Sequence, residues 1–127
     1  AAAVEPYPGP AIGFCVDTAN SLRNFEPADE VLDRLGGRAF CYHLKDFRVE
    51  GHQLGFTVSG APLGSGQLDL DRTLERIFAH DPEPEILIEN WVPSTGDRER
   101  DVCEDERWLA LSLAELRRRL DGRGARA

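Results

Sequence analysis

Short apolar runs along the chain alternate with stretches in which apolar residues recur at helical spacing. Continuous apolar runs bounded by polar or turn-forming residues predict buried strands at 11–16, 38–44 and 85–89. Apolar positions three and four residues apart predict helices from Pro27, from Asp71 and from about Glu104 to Leu120. The predicted order is strand, helix, strand, loop, helix, strand, loop, helix.

End signals accompany the predicted helices. Pro27 suits the first turn of the first helix, Asp29 and Glu30 suit its positive dipole end, and Gly36-Gly37 ends it. Asp71 is the predicted N-cap of the second helix.

The last predicted helix and the longest loop have their own patterns. One apolar face of the helix carries Trp108, Leu109, Leu113, Leu116 and Leu120. The Gly- and Arg-rich tail 121–127 is predicted to fray. The connection 45–69 is predicted to be long, with a short strand at Leu54–Ser59 and a turn at Gly64-Ser65-Gly66.

Alternating strands and helices indicate an α/β fold with a parallel sheet covered on both faces. A doubly wound sheet and a barrel both satisfy this pattern. No internal repeat or second domain is evident, so residues 1–127 are predicted to form a single domain.

Composition narrows the class of protein. The chain has 127 residues, 41% hydrophobic and 30% charged, with a net charge of −8 that argues against nucleic-acid binding. Its sequence predicts no membrane span and no signal peptide. Its three cysteines are too few for a disulfide framework; Cys15 and Cys41 lie in apolar runs and are predicted to be buried thiols. A reducing, cytoplasmic location fits best.

Each predicted strand ends in a side chain that can bind a metal: Asp17, His43 and Glu89. Because residues two apart on a strand share a face, Cys15 lies on the face of Asp17 and Cys41 on that of His43. The opposite faces carry bulky residues, predicted to pack on helices: Ile12, Phe14, Val16, Phe40, Tyr42, Leu44, Ile86 and Ile88. One imidazole and two carboxylates suit Mn²⁺, Zn²⁺, Fe²⁺, Co²⁺ or Mg²⁺.

Four motifs carry a family resemblance: VDTANS (16–21), YHLKDF (42–47), GSGQLDL (64–70) and ILIEN (86–90). In this order and spacing they resemble the sugar phosphate isomerase/epimerase superfamily, the xylose-isomerase-like (β/α)₈ barrels. The resemblance implies that Asp17, His43 and Glu89 match three of four metal ligands, with Mn²⁺ the first choice of metal. Glu89 would also be a catalytic acid/base.

The resemblance also implies substrate contacts. Asn20 falls where many members have a histidine that contacts substrate, and Asn cannot shuttle a proton at neutral pH. Lys45, Asp46 and Arg48 lie in a loop that commonly faces substrate, although a solvated charged loop explains them equally well. Gly64-Ser65-Gly66 could approach a ligand, but a plain turn is the simpler interpretation.

The fourth family ligand, a glutamate on the preceding strand, has no counterpart, because Glu5 lies beside prolines. The chain is therefore predicted to hold about three βα units of the carboxyl-terminal part of a barrel, which usually needs roughly 250 residues. Upstream strands or a partner chain would complete it, and a homo-oligomer is compatible. The endonuclease IV branch is disfavoured, since its D-x-x-H reads D-T-A-N here.

Residues 52–60, HQLGFTVSG, resemble a sequence pattern of a branch of this superfamily that is close to the C-glycoside deglycosidase-like subunits. The resemblance implies that His52 is an additional acid/base or binding residue. A loop histidine without such a role explains His52 equally well. Three functions follow. The first is a divalent-metal-dependent sugar isomerase or epimerase, acting by proton transfer at a metal-bound hydroxy-ketone. The second is a lyase eliminating on a 3-oxo-sugar, and the third is a non-catalytic barrel fragment or binding subunit that needs a partner chain.

Overall fold

The computed structural model describes residues 5–7, 9 and 11–124. Its strands are β1 (Phe14–Asp17), β2 (Ala39–Leu44), β3 (Asp46–His52), β4 (Gly55–Ala61) and β5 (Ile86–Ile88). Its α-helices are α1 (Ala28–Leu35), α2 (Leu70–His80) and α3 (Arg98–Gly124), with short 3-10 segments at Asn20–Asn24 and Gly36–Arg38. None of the helices in the described residues combines the length and the hydrophobicity that a membrane span requires.

The chain divides into two compact units. The first is formed by Ala1–Leu44 and Asp71–Leu87, and the second by Lys45–Leu70 and Ile88–Ala127. Each unit is described by itself below.

A three-stranded sheet with the order β1-β2-β5 organises the first unit. β1 and β2 pair in parallel, with Cys15 opposite Cys41 and Asp17 opposite His43. The backbone N–H of Tyr42 in β2 donates to the carbonyl of Glu85, just before β5, at 2.9 Å. The predicted α/β class with parallel strands is confirmed, whereas a barrel built from these units stays a prediction.

The core of the first unit lies on one side of this sheet. Its most buried apolar side chains, each at most 2% exposed, are Val16, Leu32, Tyr42, Leu44, Leu74 and Ile77. Burial is the main cause that raises the pKa of Tyr42, and the negative charge of Asp81 adds to it. The predicted packing face is therefore confirmed at Val16, Tyr42 and Leu44. It is wrong at Phe40, the second residue of β2, which is 54% exposed.

The prediction that Cys15 and Cys41 are buried is wrong. Cys15 is exposed and Cys41 is half-buried, and neither thiol is in a disulfide bond. They alternate with the buried residues Val16 and Tyr42, so they project from the opposite face of the sheet. The described part of the first unit leaves this face partly open to solvent.

The connection after β2 is more regular than predicted. β3 and β4 form an antiparallel hairpin in which Asp46 lies opposite Ala61 and His52 opposite Gly55. The sequence pattern predicts only part of β4 and does not predict β3. In β3, Phe47 and Val49 alternate with charged residues, and this two-residue period is too short and too weak to indicate a strand by itself.

The helix boundaries bring two corrections. α1 begins directly after Pro27, as predicted, but α2 begins at Leu70, so Asp71 lies inside its first turn and is not the N-cap. α3 begins six residues earlier than the predicted Glu104 because Asp97 caps it, accepting from the N–H groups of Glu99 (3.0 Å) and Arg100 (3.3 Å).

α3 also continues to Gly124, so the predicted fraying is wrong for 121–124; residues 125–127 lie outside the described residues. Its buried stripe differs from the predicted one. Trp108, Ser112 and Leu116 are 8%, 0% and 7% exposed, whereas Leu109 and Leu113 are 50% and 37% exposed. The buried positions are four residues apart, which is the spacing of one helix face.

Two arginines on α3 enclose the carboxylate of Glu115. Arg118 donates to it through Nε (2.8 Å) and Nη2 (2.7 Å), and Arg119 donates through Nε (2.8 Å). The hydrogen bonds from Arg118 are the main cause that lowers the pKa of Glu115 to about 2. Because folding lowers this pKa, the stabilisation is present above the ordinary value of 4.5 and is lost as the pH falls toward about 2.

We expect Glu115 to remain ionised at about pH 3, where an ordinary glutamate is protonated. Carboxyl-carbon NMR titration of the full-length protein would measure this. Arg118→Gln should raise the pKa of Glu115 toward its ordinary value, whereas Arg117→Gln, at an exposed neighbouring position, should leave it unchanged. Equal effects from the two variants would contradict the assignment.

Candidate metal centre

Asp17 and His43 lie together in the first unit. They are register partners on adjacent parallel strands, Asp17 at the end of β1 and His43 one residue before the end of β2. Both side chains are half-buried. The parallel pairing therefore places a carboxylate and an imidazole on neighbouring strands, as the sequence predicts.

The loop after β1 orients the Asp17 carboxylate. Its Oδ1 accepts hydrogen bonds from the backbone N–H groups of Ala19 and Asn20, each at 2.8 Å. Thr18, which is 1% exposed, donates its backbone N–H to the carbonyl of His43 at 3.1 Å. The hydrogen bond of Thr18 joins the ends of the two strands, and the two backbone N–H groups orient the carboxylate of Asp17.

Glu89 belongs to the second unit and directly follows the last residue of β5. Its Oε1 lies 2.8 Å from the ammonium group of Lys45; the side chains are 48% and 11% exposed, respectively. Lys45 is thus a buried cation paired with a predicted metal ligand, not part of a solvated loop. Its positive charge offsets part of the negative charge of Glu89.

The segment after Glu89 is anchored within the second unit. Ser112 of α3 donates its hydroxyl to Oδ1 of Asn90 at 2.9 Å and accepts the N–H of Leu63 at 2.9 Å. The carbonyl of Trp91 approaches Gly60 so closely that a Cβ there would lie 1.9 Å from the oxygen. The backbone that carries Glu89 is therefore held from two sides.

Asp46 organises the turn that contains Gly64-Ser65-Gly66. Its Oδ1 accepts from the N–H groups of Phe47 (2.8 Å) and Leu68 (2.9 Å), and its Oδ2 from those of Gly64 (2.8 Å) and Gly66 (2.9 Å). Asp46 is 3% exposed, and a Cβ at Gly66 would lie 2.2 Å from Oδ1. These contacts are structural, and substrate binding by Asp46 stays a prediction.

The remaining predicted site residues are exposed. Asn20 begins a 3-10 segment after β1. Arg48 donates to the carbonyl of Ser65 at 3.0 Å and lines a groove of about 790 Å³ beside α3. His52 ends β3, with Nε2 3.3 Å from the hydroxyl of Thr57. Roles for these residues in substrate binding or acid/base chemistry stay predictions.

Groups of side chains that could hold a metal ion are present in the described residues. In the first unit the ligand atoms of Cys15, Cys41 and His43 lie within 4.8 Å of one another. Asp17, His43 and Glu89 offer nitrogen and oxygen donors, a set that fits Mn²⁺ and the other divalent ions named above. The donor chemistry therefore agrees with the predicted class of cofactor.

Comparison with known proteins gives one relative with a named activity. Over 118 residues the chain is 33% identical to 3-oxo-isoapionate decarboxylase of Pectobacterium atrosepticum, a match that covers 91% of this chain and 42% of the relative. The chain thus spans less than half the length of that enzyme. No protein-family model matches the chain. The chain therefore resembles part of an enzyme, and membership of the xylose-isomerase-like superfamily stays a prediction.

Sequence reasoning missed three contributors to this region. The anchor formed by Ser112 and Asn90 joins residues 22 apart, and only the lone serine among the leucines of α3 signals it. The close approach of Gly60 to Trp91 has no local signal. The thiols of Cys15 and Cys41 do have a local sequence signal, because both share strand faces with predicted metal ligands. The apolar residues around them nevertheless favour the prediction that they are buried.

Proposed function

We propose that this chain is the metal-carrying, carboxyl-terminal part of a sugar-processing enzyme, in which Asp17, His43 and Glu89 hold a divalent ion. One observation carries the proposal: Asp17 and His43 are register partners on adjacent parallel strands of the first unit. Glu89 joins them as the ligand that the sequence predicts directly after β5. Carboxyl ends of parallel strands are where (β/α)₈ enzymes assemble their active sites.

A divalent ion in this site would act as a Lewis acid and stabilise negative charge that develops on substrate oxygens. Residues of this chain orient the proposed ligands and balance their charge. Backbone N–H groups orient Asp17, the anchored segment after β5 positions Glu89, and Lys45 balances the charge of Glu89. Ligands that are fixed by neighbouring groups lose less freedom on binding a metal.

The reaction we propose first is decarboxylation of a 3-oxo sugar acid. In such an acid the bond between the carboxylate carbon and C2 breaks, CO₂ leaves, and the electron pair stays on C2, delocalised onto the oxygen of the C3 ketone. A proton from solvent or an acid group then adds to C2. The identity to a 3-oxo-isoapionate decarboxylase supports this reaction, and it is a lyase reaction like the second of the functions predicted from sequence.

Isomerisation or epimerisation of a sugar is the second candidate, because it needs the same stabilisation of charge on oxygen. It also needs a base that removes a proton from carbon. We propose the carboxylate of Glu89 for this role; it is 48% exposed and paired with Lys45. The two candidates therefore share the metal site and differ in which bond breaks.

Three strands do not close a (β/α)₈ barrel. We propose that further strands, from the same polypeptide or from a partner chain, pair with the edges of the sheet and supply a fourth ligand. The match to only 42% of the relative supports this part of the proposal.

Metal analysis of the full-length protein tests the site. Asp17→Asn, His43→Ala and Glu89→Gln should each weaken Mn²⁺ binding by at least about 100-fold, since even loss of a supporting residue costs 10- to 100-fold. Glu83→Gln, at an exposed position before β5, is the matched control and should bind Mn²⁺ normally. Unchanged metal content in Glu89→Gln and His43→Ala, measured by elemental analysis after dialysis, would refute the ligand assignment.

Two assays with and without Mn²⁺ separate the reactions. Release of CO₂ from a 3-oxo sugar acid would support decarboxylation, and conversion of a ketose would support isomerisation. In either assay the Glu89→Gln variant should lose about 100-fold or more of the rate. A protein that binds Mn²⁺ but catalyses neither reaction would favour the third function, a binding subunit.

A further inference from the structure

Cys15, Cys41 and His43 form a second group of potential ligands in the first unit. Cys15 of β1 and Cys41 of β2 are register partners, and side chains of register partners on parallel strands project from the same face. His43 lies two residues beyond Cys41 on that face, and the ligand atoms of all three residues are within 4.8 Å of one another. We propose that these three side chains form a thiophilic metal site, which overlaps the proposed Mn²⁺ site at His43.

The spacing fits one ion. With metal–sulfur bonds of about 2.3 Å and tetrahedral angles, two thiolates on the same zinc ion lie roughly 3.8 Å apart. The three ligand atoms are already within 4.8 Å, so small side-chain rotations bring them to coordinating distance. Two sulfurs and one imidazole nitrogen select Zn²⁺, Cd²⁺ or Cu⁺ over Mn²⁺ or Mg²⁺, which prefer oxygen donors.

The thiols are accessible rather than packed as core residues. Cys15 is exposed and Cys41 half-buried, and neither forms a disulfide bond. A buried structural cysteine is inert, whereas an ion in solution can reach thiols that lie on an open face of a sheet. Three protein ligands also leave one coordination position for water or a small molecule.

A consequence for regulation rests on the proposed function. His43 belongs to both ligand sets, so an ion bound to the thiols makes the imidazole unavailable to the proposed Mn²⁺ site. A thiophilic ion therefore displaces Mn²⁺ and inhibits the enzyme without entering the oxygen-rich site.

Titration of the full-length reduced protein with Cd²⁺ tests the thiol site. We expect a thiolate-to-metal charge-transfer band in the ultraviolet that saturates near one equivalent. Cys15→Ser and Cys41→Ser should each remove at least half of the band, whereas Cys103→Ser, at an exposed position on α3, should leave it unchanged. No band in the wild type, or a band unaffected by Cys15→Ser and Cys41→Ser, would overturn the proposal.

Protection from alkylation tests it without substitutions, in case a serine variant does not fold. One equivalent of Cd²⁺ should slow iodoacetamide modification of Cys15 and Cys41, read by peptide mass spectrometry, and should not slow that of Cys103. Equal protection of all three, or of none, would refute the site.

Competition distinguishes this site from the proposed Mn²⁺ site. The electron paramagnetic resonance signal of bound Mn²⁺ should decrease when one equivalent of Cd²⁺ is added to the wild-type protein. The signal should not change when Cd²⁺ is added to the double variant that carries Cys15→Ser and Cys41→Ser. A protein that shows the Cd²⁺ band but never binds Mn²⁺ would retain the thiol site and reject the proposed function. Mn²⁺ that stays bound beside Cd²⁺ in the wild type would overturn the shared role of His43.

Discussion

Asp46→Ala is expected to lower the free energy of unfolding by about 4 kcal/mol, because four backbone N–H groups lose a charged acceptor at once. The carboxylate is 3% exposed, so water does not easily replace it. A single bond to a charged group contributes about 1.5–3 kcal/mol, and bonds that share one acceptor do not add fully. Chemical denaturation of the full-length protein measures the change.

An asparagine at position 46 distinguishes the effect of losing the charge and its hydrogen bonds from the effect of losing side-chain volume. Asp46→Asn keeps the size of the side chain but places an amide group, a donor, where one oxygen now accepts from two backbone N–H groups. We therefore expect nearly the same loss of stability as for alanine. Glu50→Ala, at an exposed position on the same hairpin, is the control and should change stability little. An asparagine variant as stable as the wild type would contradict the role assigned to Asp46.

Gly60→Ala should cost about 3 kcal/mol, since its methyl group would lie 1.9 Å from the carbonyl oxygen of Trp91 and the backbone itself would have to move. Denaturation midpoints of Gly60→Ala and Gly51→Ala give the comparison. Gly51 is on the same hairpin with no atom within 4 Å of an added Cβ, so its substitution should be tolerated.

The same substitution bears on the proposed metal site. Trp91 is two residues from Glu89, and a displaced carbonyl would disturb the anchored segment that carries this ligand. Gly60→Ala should therefore weaken Mn²⁺ binding, whereas Gly51→Ala should not. A Gly60→Ala variant as stable as Gly51→Ala would show that the segment after β5 is free to shift.

Strand placement was predictable because it depends on local pattern. β1, β2 and β5 are short apolar runs that end at polar side chains, and the two-residue period alone placed Asp17 and His43 in phase. β3 was not found because charges at Asp46, Arg48 and Glu50 dilute its alternation, and its pairing with β4 supplies what the local pattern lacks.

Contacts between distant residues were not predictable from pattern. The leucines of α3 suggested a stripe through Leu109 and Leu113, although Ser112 occupies the most buried position on the helix. Its burial depends on partners at Asn90 and Leu63, which lie 22 and 49 residues away. For the same reason, local spacing does not predict the ion pair between Lys45 and Glu89, which are 44 positions apart in the sequence.

Ser112 also sets the rotational phase of α3. Its one hydroxyl must meet both Asn90 and Leu63, and no neighbouring leucine can make either bond. Inserting a residue in the helix before this position would turn the rest of it by about 100° and carry the hydroxyl away from both partners. Insertions and deletions of single residues between Trp108 and Ser112 should therefore be rare among natural variants of this chain, even though the outer face of the helix is open to substitution.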